Sequence, residues 1–364
     1  MNFKKGLMLA VLLTASAAGL AACSSGGDTS SSKNSSSKEN NIVFVPKLTG
    51  NSYFESGNLG AQDMGKKAGF KVTYSGNSVA SVANQVTIIN NAVQQGAAGI
   101  TLASVDPTGL DNALKQASKA GLKIVTWDSD VSPDARSIMV AQGTPKQLGE
   151  MIVSMSVDAL KKRGLDPAKD KITYAWHYSS ATVQDQNSWQ KAGEDLIKAK
   201  YPNWVNVESS NYYSNQDAQT ALNVGQSILS AHKDIDLIMC PDSTALPGQL
   251  QAAQNAGLTK DKVTITGFST PNSIKAFAKA NILEEWGLWD VKVQAGMAVF
   301  LTNYLAEGHD LKVGDSVDIP GVGKVTVKNN SELTAGAKDS SDSGVVLLPK
   351  RTVFTTANMD DYDF

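Results

Sequence analysis

The pattern of this chain predicts an α/β fold of two doubly wound, Rossmann-like lobes joined by hinge crossings, and three observations carry the prediction. From residue 41 onward, short runs rich in Val, Ile and aromatics alternate with stretches of helical periodicity. The strand-length runs are apolar along their whole length, which marks parallel sheets covered on both faces. The rhythm then restarts after a long helical stretch near 145–163, and about 324 residues from position 41 onward exceed what one core usually covers.

In chain order, NIVFV (41–45), FKVTY (70–74), GITLA (99–103), KIVTW (123–127) and SIMVA (137–141) read as strands of the first lobe. Between them Val82, Val86, Ile89 and Val93 fall on one helical face that stops at Gly96, and Leu110, Leu114 and Ala117 do the same before Gly121. The second series is ITYAWHY (172–178), VNVES (205–209), DLIMC (236–240), VTITGF (263–268) and ILEEWGLW (282–289). The tail segments 315–327 and 344–354 look like short strands or crossings around a polar loop. The expected lobes are 41–143 plus 291–313, and 144–290 plus 314–364. Two such lobes face one another with their strand ends, and the cleft between them is the expected site.

The first 22 residues carry two lysines, an apolar run and then Leu20-Ala21-Ala22-Cys23. That is the form of an export signal of the bacterial lipoprotein kind, with cleavage before a lipidated Cys23, and not of a spanning helix. Residues 24–40, SSGGDTSSSKNSSSKEN, have no large apolar side chain and read as a tether of about 20–25 Å mean reach. Losing Lys4 and Lys5 with the signal takes the formal net charge from −2 to −4, so nothing suggests a nucleic-acid partner. The other cysteine, Cys240, closes an apolar run and has no disulfide partner once Cys23 is acylated; it reads as a small buried hydrophobe.

The strand ends carry polar or aromatic residues. Lys47 follows NIVFVP, Asp106 follows GITLASV, Asp128 follows KIVTW, and Pro241, Asp242 and Ser243 follow DLIMC; Asp185 and Gln186 stand just ahead of a helical stretch. Such carboxylates serve as the acid and base of a glycosidase, as ligands of a hard cation, or as charged acceptors for ligand hydroxyls. The third chemistry fits best, because Asp, Lys, Gln and backbone groups together satisfy hydroxyls. The candidate pocket aromatics Phe54, Trp127 and Trp289 offer apolar faces to a ring. The plain alternative for any one of them is a surface loop or a cap, and Asp185 at the head of a helix suits capping. There is no G-x-x-x-x-G-K-[ST], H-E-x-x-H, G-x-S-x-G or post-strand G-x-G-x-x-G, and His177, His232 and His309 lack metal-ligand spacing. No catalytic residue, metal or cofactor is expected.

The blocks FVPKLTGNSYFESGNLGAQ, TWDSD, QGTPKQLG, VQDQNSW, PDSTALP, GFSTPN, GLWD, VGDSVDIPGVGKVTV, VVLLP and DYDF resemble the autoinducer-2-binding proteins of Lsr import systems, type I periplasmic binding proteins, from about residue 41 to the last. The resemblance implies a non-enzymatic, monomeric binding lipoprotein that takes autoinducer-2 as a boron-free, polyhydroxylated tetrahydrofuran and delivers it to an ABC permease. It implies ligand contacts at Lys47, Asp128, Asp185, Gln186, Pro241 and Ser243, the last two through main-chain groups. Ser243 departs from the alanine common there and adds a hydroxyl to the pocket wall. The alternatives are a binding protein of the same fold for ribose or rhamnose, a lipid-anchored enzyme, and a repressor, which would need a helix-turn-helix in place of the lipobox.

Overall fold

The computed structural model describes residues 39–364 apart from 338; the expected signal, Cys23 and the tether through residue 38 lie outside the described residues. Residues Glu39–Phe364 form one compact unit. Its first half runs β1 (Asn41–Val45), α1 (Ser52–Ala68), β2 (Lys71–Tyr74), α2 (Val82–Gln94), β3 (Gly99–Leu102), α3 (Asp111–Lys119), β4 (Lys123–Trp127) and β5 (Ile138–Ala141). After α4 (Pro145–Lys162) come β6 (Ile172–Tyr178), α5 (Gln184–Lys200), β7 (Trp204–Asn206), β8 (Tyr212–Tyr213), α6 (Ala218–Ala231) and β9 (Leu237–Cys240). Then follow α7 (Ala245–Asn255), β10 (Thr264–Gly267), α8 (Pro271–Lys279), β11 (Trp286–Trp289) and α9 (Val291–Ala306). The tail holds β12 (Ser316–Ile319), β13 (Gly323–Thr326), β14 (Gly344–Leu347) and β15 (Arg351–Phe354).

Two parallel sheets organise these elements. The first has the order β14-β5-β4-β3-β1-β2, and the second β10-β9-β6-β7 with β8 also on β6. Each starts near its middle and winds outward both ways, so β1 with β3, and β6 with β9, flank the points where strand order reverses. Loops diverge there and open a crevice beyond the carboxyl ends of the strands. Lys47 follows β1 and Asp185 follows β6, which places both at such a crevice.

Strand alternation decides which side chains line which face of the first sheet. Ile42, Phe44, Val125 and Trp127 turn to the side covered by α1 and α9, whereas Val43, Val45, Ile100, Leu102 and Ile124 turn to α2 and α3. Helices α1 and α9 lie unusually close. A Cβ on Gly60 would stand 2.1 Å from the Lys292 carbonyl oxygen, so only glycine permits that approach.

The chain passes between the sheets three times. The first passage, 142–144, ends in a capping box in which Thr144 and Gln147 satisfy each other's backbone amides ahead of Pro145. The second is Asp290, whose carboxylate accepts from the Val293 amide at 3.0 Å and starts α9. The third corrects the sequence reading. β14 pairs in parallel with β5, Gly344 opposite Ile138, and so joins the first sheet; only β15, antiparallel to β11, returns to the second. The third passage therefore lies at 348–350, not near 313, and the assignment of all of 314–364 to the second lobe does not hold. Arg136 holds β14 there, donating to the Gly344 carbonyl at 3.0 Å and to Ser343 Oγ at 2.7 Å.

Candidate ligand-binding site

At the end of β4 the chain turns abruptly. Trp127 is fully buried beneath the sheet, stacked on Phe44 and Tyr53 with centroids 5.0 and 6.0 Å away. Asp128 then adopts φ 61°, a left-handed conformation that aspartate tolerates better than most residues, and this sends its carboxylate out of the sheet toward the cleft. Gln142 Nε2 steadies the turn by donating to the Asp128 carbonyl at 3.2 Å. Trp127 is thus a core residue, and the expectation of it as a pocket aromatic does not hold, because strand alternation points residue 127 away from the cleft.

Lys47 Nζ lies 2.9 Å from Asp128 Oδ2, with both side chains under one-tenth exposed. By distance this is an ion pair, yet Oδ2 receives no directed hydrogen bond from any described residue. A carboxylate oxygen has more than one acceptor direction, so beside the ammonium it keeps capacity for a ligand. Burial works against the Lys47 charge, but the carboxylates of Asp128, Asp185 and Asp242 outweigh it and hold its pKa above the ordinary lysine value.

The second sheet supplies the facing wall. Gln186, in the first turn of α5, accepts from the Ser179 amide at 3.0 Å through Oε1 and donates through Nε2 to Asp242 Oδ1 at 3.2 Å. Asp242, just past β9, also accepts on Oδ2 from the Ala245 amide at 2.7 Å and from Ser214 Oγ at 3.1 Å, so it caps the start of α7. Burial raises the Asp242 pKa above its usual value against these hydrogen bonds and Lys47.

Lys47, Asp128, Gln186, Pro241, Ser243, Phe54 and Trp289 all line one tight cavity of about 30 Å³, together with Asp242, Trp189 and Phe268. Trp189, Phe268 and Trp289 meet edge to face at 5.8–5.9 Å and give it an apolar side. Trp289 is locked by donating from Nε1 to Gln294 Oε1 at 2.7 Å, while Gln294 is anchored on the Val140 carbonyl at 2.9 Å. Trp189 and Phe268 are not among the residues singled out from sequence, and Asp242, read there as a strand-end residue, is not among the contacts the resemblance implies. A signal for two of them is there all the same: Asp242 stands between Pro241 and Ser243, and Trp189 lies one helical turn beyond Gln186 on the same face of α5.

Asp185 is placed differently. Its carboxylate accepts from Ser129 Oγ at 3.0 Å across the cleft, and it faces a larger groove of about 1150 Å³ between the 129–136 and 182–195 segments. Burial pushes its pKa up to about 6, with Lys47 opposing and Asp128 adding. The groove shares Asp128 and Trp189 with the small cavity. The large void is the roomier, but the small one is where the buried ammonium, the carboxylates and the aromatic wall converge. Chemistry, not size, identifies the site.

Asp130 does other work. It takes Arg136 in a two-pronged pair at 3.0 and 2.7 Å and accepts from Thr126 Oγ1 at 2.5 Å. It pins the loop to β14 and stays out of the small cavity. Asp106 caps its own loop, accepting from the amides of Thr108 and Gly109. Among the described residues no group of three or more His, Cys, Asp or Glu has the arrangement of a metal site.

Residues 42–310 match the family of the periplasmic binding protein domain. The structure of LsrB from Clostridium saccharobutylicum in complex with AI-2 is 59% identical, covering 89% of this chain and 100% of its own, with a TM-score of 0.88. The ribose import binding protein RbsB of Escherichia coli (strain K12) is 26% identical over 238 residues, 65% of this chain and 75% of RbsB. An ABC transporter solute-binding protein from Clostridium phytofermentas with bound L-rhamnose shares the fold at 20% identity and a TM-score of 0.79, covering 89% of this chain and 98% of its own. Two parallel sheets, reversed strand order at the cleft and a match from β1 through α9 lead to one conclusion: this chain belongs to the periplasmic binding protein family.

Proposed function

We propose that this protein is the extracytoplasmic solute-binding component of an ABC importer, anchored by a lipid on Cys23, and that its ligand is autoinducer-2 as a small polyhydroxylated tetrahydrofuran. It binds and releases its ligand without turning it over. One observation carries the reading: Lys47, Asp128, Gln186 and Asp242, buried and brought together from both sheets, face an aromatic wall in a single cavity. Ligand hydroxyls donate to Asp128 and to Asp185 beside it, ligand oxygens accept from Lys47 and Gln186, and the ring's apolar face rests on Trp289 and Phe268. The 59% identity to an LsrB solved with AI-2 supports the choice of ligand.

A pentose or deoxyhexose is the second reading, favoured by the likeness to RbsB. Calorimetric titration of the purified protein with autoinducer-2, D-ribose and L-rhamnose separates the two. Autoinducer-2 should bind at least about tenfold more tightly than either sugar, a gap of about 1.4 kcal/mol. A sugar that binds as tightly or more so overturns the choice of ligand, and chemical conversion of any of the three overturns the binding role.

A further inference from the structure

We infer that Asp242 is a positioning residue that fixes the Gln186 amide as a hydrogen-bond donor toward the cavity, so that this corner of the site recognises a ligand oxygen as an acceptor. The inference rests on the binding role proposed above and specifies what that ligand must present.

An amide side chain can face a ligand either way round, and here its surroundings leave one choice. The Ser179 amide is an obligate donor 3.0 Å from Gln186, so the oxygen Oε1 must point to it. Asp242 Oδ1, at 3.2 Å on the other side, then meets Nε2. Asp242 cannot turn to offer anything but an acceptor there. Its other oxygen is occupied by the Ala245 amide at 2.7 Å and Ser214 Oγ at 3.1 Å. Of the two Nε2 hydrogens one is taken by Asp242, and the second is what this amide offers the cavity it lines. Asp128 across the cleft is an acceptor, so the two walls demand opposite things: a hydroxyl proton at Asp128, and an oxygen lone pair at Gln186.

Asp242→Asn tests this. The introduced amide must keep its oxygen toward the Ala245 amide, which turns its NH2 against the NH2 of Gln186. The glutamine cannot flip to relieve the clash without abandoning Ser179. Affinity for autoinducer-2 should fall about ten- to a hundredfold, with a lower thermal midpoint because the pair is buried. Adding Gln186→Glu restores complementarity, since a carboxylate accepts both from Ser179 and from the NH2 of the introduced asparagine. The double variant should regain its thermal midpoint yet stay at least about tenfold weaker for autoinducer-2, because an acceptor now faces the ligand's oxygen.

A double variant that regains stability and binding together would mean that no donor at position 186 meets the ligand, and that result overturns the inference. Asp242→Asn binding within about twofold of the unmodified protein, or a double variant that regains no stability, overturns it as well. The thermal arm reads the pairing of 186 with 242 without any ligand, so it stands apart from the ligand assignment. If the unmodified protein ignores autoinducer-2, that assignment fails by itself, and the same two variants are titrated with D-ribose and L-rhamnose.

Discussion

Asp128 and Asp130, two residues apart, should fail in opposite ways. Asp128→Asn keeps the side-chain shape and tolerates φ 61°, so the turn survives, but it removes the charge 2.9 Å from Lys47 and the charged acceptor offered to the ligand. A hydrogen bond to a charged group contributes about 1.5–3 kcal/mol, which is a loss of about ten- to a hundredfold in affinity. Asp130→Ala leaves Arg136, whose side chain is 1% exposed, with only neutral partners at Ser343, Gly344 and Asn330. Breaking a buried pair from one side costs about 3–5 kcal/mol; with Asp130 a quarter exposed, about 2–4 kcal/mol is the expectation. That lowers the thermal midpoint by about 3–6 °C for a chain of this length, while autoinducer-2 affinity stays within about threefold. Titration calorimetry and scanning calorimetry on both variants read the two effects separately. If Asp130→Ala loses binding with its stability intact, or Asp128→Asn binds like the unmodified protein, the roles assigned to these carboxylates are wrong.

Asp185, with its pKa near 6, is partly protonated at that pH without ligand, and a hydroxyl donating to it favours the ionised form. Binding at pH 6 should therefore release protons, seen as enthalpies that change with the buffer's ionisation heat, and Asp185→Asn should abolish the dependence. The same raised pKa contributes stability that is full below the unfolded value of 3.8 and is lost as pH rises through about 6, so Asp185→Asn should flatten that part of the stability profile. Gly60→Ala forces α1 off α9 and should cost about 1–3 kcal/mol by chemical denaturation; an unchanged midpoint would mean the helices have slack. Small-angle scattering should show a more compact particle with ligand than without, since Ser129 with Asp185, and Asn51 with Thr244, bridge the lobes; identical profiles at saturation would remove hinge closure. Cys23→Ser should shift the protein out of the membrane fraction, and continued membrane association after signal removal would refute the anchor.

Much of the fold is legible because apolar runs and helical periodicity are local signals. NIVFV, KIVTW and ITYAWHY are strands at the expected residues. Strand ends in a doubly wound sheet point to one crevice, so Lys47, Asp128 and Gln186 are readable as neighbours from the sequence alone. What stays hidden depends on packing. GVVLL has the composition of a buried strand, but nothing local says which sheet it joins; that is settled by Arg136, more than 200 residues away in the chain. Trp127 and Asp128 are adjacent, and whether the indole or the carboxylate enters the cleft is decided by a one-residue alternation followed by a left-handed turn. Asp130 stands outside the contacts expected from sequence, yet its own task shows only once Arg136 is placed against it.

The central claim, that this cleft selects autoinducer-2 and leaves it unchanged, meets its most direct test in competition. The purified protein is incubated with equimolar autoinducer-2, D-ribose and L-rhamnose, washed, and mildly denatured, and the released small molecule is identified by proton NMR against the three authentic compounds, because the tetrahydrofuran form and ribose are isomers of equal mass. The methyl-tetrahydrofuran spectrum of boron-free autoinducer-2 should be recovered; the spectrum of either sugar, or of a converted product, would contradict the claim.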